Sequence, residues 1–224
     1  MRRQVGYLSV LALLVLGCSR TGQEEAIADA FRRWQAALSA GNNVALLEQF
    51  SSESQAYFAL LGQLAVGSNE SEKEAFCRMG QIPWSTRYLL QACEFMASVD
   101  EATEFTALNV IVTAQALQFG ILDEAKLPDY RFDSVADIQG SRAVAIINYR
   151  LAPETWVQSR FTFLREDGQW RLDYASTLTL MERYLATNAQ KSGLPARQFI
   201  QQLLMEGDAD GQRLYYDPNQ AERR

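Results

Sequence analysis

The sequence predicts an α+β protein in which helices come first and consecutive antiparallel strands follow. Over roughly the first 120 residues, apolar side chains recur at the three- and four-residue spacing of amphipathic helices. Between residues 131 and 176 the pattern changes to an alternation of apolar and polar residues, interrupted by short turns. Helical spacing returns from about residue 177. Helices and strands that are segregated along a chain favour the α+β class.

The N-terminal residues have the pattern of a secretory signal. A positively charged start precedes a short apolar run over residues 7–16, and the small Gly17 comes directly before Cys18. The run is too short for a membrane-spanning helix, which needs about 20 apolar residues. A cysteine at this position resembles the signal of a bacterial lipoprotein, and the resemblance implies cleavage between Gly17 and Cys18 and acylation of Cys18. The alternative is an ordinary secretory signal followed by a chance cysteine.

The residues after the signal predict where the protein is held and how the chain is divided. Residues 18–23 are short and polar, as expected of a tether. Ser19 stands where inner-membrane retention signals often have Asp, so the resemblance favours the outer membrane, with the protein facing the periplasm. The expected organisation is a signal peptide (1–17), a tether (18–23), a folded domain (24–176) and a C-terminal helical extension (177–224).

The composition excludes several classes of function. The 224 residues include no histidine, so a Ser-His-Asp triad and a histidine metal site are both excluded. The net charge of −6 makes nucleic acid an unsuitable partner, because phosphate backbones attract basic surfaces. An acidic stretch at residues 206–217 matches a calcium loop only in part, since it begins with Glu206 and ends with Asp217. No metal ion and no cofactor is predicted.

The cysteines predict one disulfide. With Cys18 assigned to the lipid, Cys77 and Cys93 remain. Two spare thiols in an oxidising compartment tend to pair, and these two lie on neighbouring predicted helices. Two buried thiols at separate places are the alternative.

Apolar stripes and start signals predict the first helices. The first helix is expected over residues 24–40, and Asn42 or Asn43 begins a second that extends toward Leu61. A capping box then starts a short helix, because the side chains of Ser71 and Glu74 each satisfy the other residue's backbone donor.

Two longer helices are predicted before the first strand. One has an apolar face from Tyr88 to Val99, and the other covers residues 104–119. The second contains a β-branched run at residues 110–113, which leaves a strand as the alternative. The helical stripe and the glycine at its end favour the helix.

Four strands are predicted, over residues 131–139, 142–151, 155–166 and 169–176. Asp167 and Gly168 separate the last two, and Asp-Gly between apolar alternations is a strong hairpin signal. The strand at 142–151 is apolar on both faces, so we expect it at a central position. In the last strand the alternation places Asp173 on the solvent face.

The C-terminal extension is predicted to contain two amphipathic helices. Leu178, Met181 and Leu185 share one face of the first, and Pro195 starts the second, whose apolar residues lie at 199–204. Because both follow the predicted domain, they are the expected binding surface for an envelope protein partner.

Two stretches carry a resemblance that makes the fold more specific. The first is the opening helix, with Phe31-Arg32-Arg33-Trp34, and the second is the hairpin over residues 161–173. Together they resemble the nuclear transport factor 2-like (NTF2-like) family, of the ketosteroid-isomerase type. The resemblance implies a curved antiparallel sheet wrapped around the opening helices, forming a cone with an inner cavity. A helical insert at about 70–120 and the C-terminal extension depart from that plan.

Aromatic residues are the candidates for lining the cone, and ordinary core packing is the alternative for all of them. They are Trp34, Tyr149, Trp156, Phe161, Phe163 and Trp170.

No catalytic residue is predicted, although the resemblance leaves an enzyme as the alternative. Family enzymes often use an Asp–His pair, which a chain without histidine cannot form, or a lone Asp with a Tyr donor. Asp133, Asp137 and Asp173 are available for the second arrangement, with Tyr149 and Tyr174. Asp137 and Asp173 are more simply interpreted as solvent-face residues.

The sequence therefore predicts a lipid-anchored protein of the bacterial envelope that acts as a non-catalytic binding or assembly module. Its expected partners are the membrane, through the lipid, and an envelope protein, through the C-terminal helices. The alternative function is a small-molecule isomerase or hydro-lyase that uses a carboxylate in the cone.

Overall fold

The computed structural model describes residues 4–67, 82–99, 101–121, 130–152 and 155–209, together with Lys73 and Phe76. Five helices precede the sheet in this part of the chain: α1 (Gln4–Ser39), α2 (Asn43–Glu48), α3 (Ser52–Gly67), α4 (Trp84–Val99) and α5 (Ala107–Ile121). The strands are β1 (Tyr130–Gln139), β2 (Arg142–Ala152), β3 (Thr155–Glu166) and β4 (Gln169–Leu172). Helices α6 (Tyr174–Thr177), α7 (Thr179–Ser192) and α8 (Ala196–Ala209) follow. The predicted α+β class is confirmed.

The sheet is a curved antiparallel meander in the order β1-β2-β3-β4. Its register aligns Tyr149 of β2 with Tyr130 of β1 and with Val157 of β3. The pairing of β1 with β2 has two register shifts, between Phe132 and Ser134 and between Val135 and Asp137. The predicted Asp167-Gly168 turn is present, and both residues have positive φ, of 49° and 81°. This backbone conformation matches the twist of a two-residue hairpin.

The last strand is shorter than predicted, and the assignment of Asp173 to a solvent-facing strand position is wrong. Strand β4 ends at Leu172, and Asp173 is the N-cap of α6. Its carboxylate accepts a hydrogen bond from the backbone N–H of Ala175, at 3.2 Å. A short acidic side chain in extended conformation before a helix satisfies a backbone donor that the helix itself cannot.

The predicted second helix is divided in two by a contact with the sheet. The backbone N–H of Leu172 donates to the carbonyl of Gln49 (2.8 Å), and that of Ser51 donates to the carbonyl of Leu172 (2.9 Å). Phe50 thereby forms a parallel bridge with Leu172, outside the four strands. These bonds use backbone groups that a continuous helix would pair internally, so α2 ends and α3 begins.

The helical prediction for residues 104–119 is confirmed by α5, and its β-branched residues lie on two faces. Val110 and Ile111 are buried in the core, whereas Val112 is exposed. The Thr113 hydroxyl donates to the carbonyl of Asn109, at 2.9 Å. Tertiary burial thus outweighs the strand preference of this run. The predicted capping box of Ser71 and Glu74 lies outside the described residues.

The main core lies between the concave face of the sheet and the helices, with α1 at its centre. Helix α1 presents Ile27, Phe31 and Trp34, all buried, at helical spacing. Every second residue of β2 from Ala143 to Tyr149 is buried as well. Helices α3, α4 and α5 extend the same core.

A second hydrophobic cluster holds the C-terminal helices against α4. Tyr88 of α4, Leu185 of α7 and Ile200 of α8 belong to it, and the Trp84 ring meets the ring of Phe199 edge-on at 5.9 Å. The large apolar residues described in these two helices, among them Leu185, Phe199 and Ile200, are therefore buried within the chain. These buried side chains are not available to a partner, and binding of an envelope protein by the rest of the C-terminal helices stays a prediction.

Candidate functional site

The candidate site is the interior between α1 and the concave face of the sheet, and it is built on Trp34. The ring centre of Trp34 lies 5.1 Å from that of Tyr130 and 5.9 Å from that of Phe161, both in edge-on contact. One turn earlier, the ring centre of Phe31 lies 5.9 Å from that of Phe132. Edge-on and tilted aromatic contacts of this kind fill the concave face with rigid side chains.

A small cavity of about 40 Å³ remains between these elements. Its lining contains three hydroxyl side chains, Tyr130, Tyr174 and Thr177, among apolar residues. The apolar members are Trp34, Leu38, Leu46, Phe50, Ile111 and Ala114. A cavity that holds one water needs about 10–15 Å³, whereas pockets for drug-sized ligands start at about 300 Å³. This cavity has room for a few waters, and none of the residues that line it carries a carboxylate.

Of the aromatic residues predicted to line a cavity, the structure brings only Trp34 to the lining of this one. Tyr149, Phe161, Phe163 and Trp170 are buried in the core around it. None of these four residues lines this cavity.

The tyrosines of the interior are held in their neutral form. Burial raises the pKa of Tyr130 to about 12 and the pKa of Tyr174 well above its ordinary value. The Tyr57 hydroxyl donates to the Thr86 hydroxyl oxygen at 2.9 Å, and burial raises its pKa to about 12 as well. Such hydroxyls donate hydrogen bonds at neutral pH and do not act as bases.

The carboxylates named for an enzyme are not brought together with these tyrosines at the cavity. Asp133 and Asp137 are exposed on β1, where Asp133 accepts from the Ser134 hydroxyl at 2.9 Å. Asp137 accepts from the Gln139 side-chain amide at 2.7 Å. Asp173 is half-buried at the start of α6, and burial raises its pKa above the ordinary value of 3.8. Asp173 stands between Leu172 of β4 and Tyr174 of α6, and it is not among the residues that line the cavity.

The structure describes only some of the residues that the cysteine and metal predictions name. Cys93 is buried, and burial raises the pKa of its thiol to about 12. Cys77 and the side chain of Cys18 lie outside what the structure describes, so the disulfide, the cleavage and the lipidation stay predictions. The acidic stretch begins within α8, since Glu206 is helical there. In the described part of the chain, no group of three acidic or cysteine side chains is placed to hold a metal ion.

A surface that the sequence analysis did not single out lies on the other side of the sheet. The indole of Trp156 is 38% exposed there, and the guanidinium carbon of Arg131 lies 4.2 Å from its ring centre. The alternation along β3 was sufficient to predict that Trp156 lies on the outer face. Trp156 is an odd number of residues away from Phe161 and Phe163, so its side chain points to the opposite side of the strand. Because Trp156 is aromatic, the sequence analysis placed it among the residues expected to line the cone.

Comparisons with known proteins add little to this description of the site. No protein-family model matches the chain, and no curated protein matches it. A solved structure of a phospholipid-binding protein from Ralstonia solanacearum, in complex with a phospholipid, is similar over 84% of this chain and 97% of that chain. The TM-score is 0.32 and the sequence identity is 11%, so the likeness carries no argument about function. Among the described residues, no helix is long and apolar enough to cross a membrane.

Proposed function

We propose that this protein is a lipid-anchored module of the bacterial cell envelope that binds a partner and does not catalyse a reaction. The signal peptide would be removed before Cys18, and acyl chains such as palmitate on Cys18 would hold the protein at the outer membrane, facing the periplasm. Several acyl chains give stable anchoring where one gives only marginal binding. The fold proposed is an NTF2-like cone with a helical insert and C-terminal helices packed on it.

The observation that carries the proposal is the filled interior. A cavity of about 40 Å³ is far smaller than a pocket for an organic substrate, and its lining offers three neutral hydroxyls and no carboxylate. Proton abstraction by a carboxylate in the cone would need such a group within hydrogen-bond reach of the substrate. A cavity with this volume and lining favours recognition by the outer surface over chemistry in the cone.

The experiment compares one interior variant with one surface variant in cells that lack the native gene. Tyr174→Phe removes a hydroxyl from the cavity lining and keeps the ring that packs against Phe58 at 4.5 Å. Arg160→Gln removes a charge from the exposed face of β3. A binding module keeps its cellular role in Tyr174→Phe. Loss of that role in Tyr174→Phe, with a normal circular dichroism spectrum and a functional Arg160→Gln variant, would support the isomerase or hydro-lyase.

The anchor is tested separately by membrane fractionation of a Cys18→Ala variant. We expect the variant to leave the membrane fraction, because no described helix is able to cross a bilayer. Recovery of Cys18→Ala in the membrane pellet at the wild-type level would show that the anchor assignment is wrong, whatever the binding experiments give.

A further inference from the structure

Helix α1 joins the residue of the proposed anchor to the core without a break. It covers Gln4–Ser39, so it includes the backbone of Cys18 and all of the predicted tether at residues 18–23. Within this stretch the guanidinium of Arg20 pairs with the carboxylate of Glu24 at 3.0 Å, at the spacing of one helical turn. A lipid on Cys18 would therefore be attached to a helix and not to a free polar segment.

The helical connection between Cys18 and the core is short. Ile27 is the first fully buried residue of α1 among the described side chains. At a rise of 1.5 Å per residue, about 14 Å of helix separates Ile27 from Cys18. An unfolded segment with the same number of residues would reach about twice as far, and in any direction. A helical connection therefore holds the folded domain close to the bilayer.

The start of α1 is suited to remain helical after the signal is removed. The packed residues from Ile27 onward already form helix, so the stretch before them extends it without the cost of nucleation. Acylation of the new amino group at Cys18 removes its positive charge, and Glu24 and Glu25 lie near that end, where the helix dipole favours acidic side chains. Gly22 opposes these effects, because glycine disfavours a helix interior.

Two aromatic contacts define the direction of α1 along the sheet. The ring of Trp34 meets that of Tyr130 at the start of β1, with 5.1 Å between the ring centres. The ring of Phe31, earlier in α1, meets that of Phe132, which lies further along β1, with 5.9 Å between the ring centres. Followed toward its N-terminus, α1 therefore runs toward the turn at Gly140.

The lengths of α1 and β1 bring Cys18 close to the level of that turn. From Trp34 back to Cys18 the helix covers about 24 Å. From Tyr130 to Gln139 the strand covers about 30 Å. Because the two lengths are similar, a bilayer that holds acyl chains on Cys18 would lie beside the turn between β1 and β2.

Both hairpin turns of the sheet lie at this end. The backbone N–H of Arg165 donates to the carbonyl of Ser141 at 2.7 Å, which places the β3–β4 hairpin beside the β1–β2 turn. We call residues 140–141 and 167–168 the turn end. All four are exposed, and none is a large apolar residue. A polar surface of this kind rests against hydrated headgroups and does not enter the hydrocarbon.

Charge does not select the face that meets the membrane. Arg142 and Arg165 are exposed next to the turn end, but Asp167 belongs to it, Glu166 is adjacent, and Asp137 is exposed on β1 nearby. The residues of α1 that follow Cys18 also include both signs. The orientation would therefore depend on the length and direction of α1 and not on the sign of the lipid charge.

We propose that α1 holds the sheet end-on to the bilayer, with the turn end against the lipid headgroups and the opposite end, at Tyr130, facing the periplasm. The partner of the turn end is the lipid surface that holds the acyl chains of Cys18. This rests on the proposed function, because it needs the anchor at Cys18. It adds which surface meets the membrane and which surfaces stay accessible to a partner in the periplasm.

The test measures how far two positions lie from the membrane. The lipidated protein is isolated from membranes and reconstituted in vesicles of phosphatidylethanolamine and phosphatidylglycerol with a fluorescent acceptor on the headgroups. A fluorescent amino acid replaces Ser141 at the turn end, or Gln158, which pairs with Asn148 about 20 Å along β2 from Arg142. We expect energy transfer from position 141 to exceed that from position 158 by about twofold, because position 141 is closer to the headgroups. The difference should persist in added salt.

Two insertions of equal length after Ser19 distinguish a helical connection from a flexible one. A helix-forming insertion of about seven residues adds about two turns and about 10 Å to α1. It should lower the energy transfer from both positions and keep position 141 ahead of position 158. An insertion of the same length made of Gly and Ser is a flexible coil and should make the two positions nearly equal.

Hydrogen exchange of the same reconstituted protein tests the helix itself. The backbone amides of residues 22–26 should exchange slowly, since each has a helical partner four residues earlier, whereas those of residues 19–21 lack one. Gly22→Ala adds a Cβ that meets nothing within 4 Å and should slow the exchange further. Free exchange over residues 22–26 would show an unfolded tether and contradict the proposal.

Each of four energy-transfer results would overturn the proposal. They are equal transfer from the two positions, higher transfer from position 158, equal effects of the two insertions, and a difference that disappears in salt, which would assign the orientation to charge. All four leave the proposed function standing, because Cys18→Ala and Tyr174→Phe test it separately. Recovery of Cys18→Ala in the membrane pellet would instead remove the anchor, and this orientation with it.

Discussion

Glu182 of α7 caps the helix that begins beside Ser85, although 97 residues separate the two along the chain. One oxygen of its carboxylate accepts from the backbone N–H of Ser85 at 2.8 Å and from the Ser85 hydroxyl at 3.0 Å. The other oxygen accepts from the backbone N–H of Trp84 at 2.9 Å. The first turn of a helix has backbone donors without internal partners, and a carboxylate there also complements the helix dipole. Glu182 thus ties the C-terminal helices to α4 beside the second hydrophobic cluster.

Replacing Glu182 with Gln should lower the free energy of unfolding by about 1–2 kcal/mol, because an amide offers one acceptor oxygen where the carboxylate offers two. Urea unfolding followed by circular dichroism measures the loss. Glu48→Gln is the control, since Glu48 is exposed at the end of α2, and it should stay within about 0.5 kcal/mol of wild type. Equal stability of the two variants would show that the cap does not hold the C-terminal helices.

Replacing Trp34 with Ala should destabilise the protein by about 3–5 kcal/mol, because the side chain fills the space between α1 and the sheet. Trp156→Ala removes the same side chain from the exposed face and should cost about 1 kcal/mol. Thermal unfolding of both variants gives the comparison. Similar losses would mean that α1 is not the centre of the core.

Gly62→Ala should destabilise the protein by about 2–3 kcal/mol, since a Cβ at this position of α3 would overlap the backbone carbonyl of Phe105. The backbone of the segment before α5 cannot yield as a side-chain end would. Gly67→Ala in the same helix meets nothing within 4 Å and is the control, expected to show no loss. A stable Gly62→Ala protein would contradict the close approach of α3 to this segment.

Asp173 should tolerate Asn but not Ala. Asn accepts the hydrogen bond of the Ala175 N–H nearly as well as Asp, so Asp173→Asn should be close to neutral, while Asp173→Ala should cost about 1 kcal/mol. Because burial raises the folded-state pKa of Asp173, the folded protein binds its proton more tightly than the unfolded chain. The native Asp173 therefore favours stability more as the pH falls through its folded pKa, and Asp173→Asn should remove that contribution from the pH dependence of unfolding.

With the predicted Cys77–Cys93 disulfide kept reduced, the protein should lose stability at alkaline pH through its buried thiol and phenols. The pKa values of Cys93 and Tyr57 rise from 9.0 and 10.0 to about 12 on burial. The unfolded chain releases these protons first, so the stability present below pH 9.0 is lost as the pH rises toward 12. Urea midpoints between pH 8 and 11 measure the decline in stability. The double variant Cys93→Ala/Tyr57→Phe should show a flatter decline, once its lower stability at pH 8 has been subtracted. An unchanged decline in that variant would assign it to other groups.

The local pattern of the chain was sufficient to predict the α+β class, the four strands and most helices. Alternation along β3, the apolar run of β2 and the Asp167-Gly168 turn depend on residues that are adjacent in sequence, so the sequence alone specifies them. The spacing of Phe31 and Trp34 likewise predicted which face of α1 enters the core.

Tertiary contacts decided the rest, because the groups that meet are distant in sequence. Leu172 pairs with the backbone around Phe50, which ends α2 and leaves Asp173 to cap α6. Glu182 reaches Ser85, and the apolar residues of α8 turn inward onto α4 instead of outward to a partner. Only the register of three strands places Arg131 against Trp156. The sequence by itself determined the elements and their buried faces, whereas the packing of those faces decided which surfaces remain free to bind.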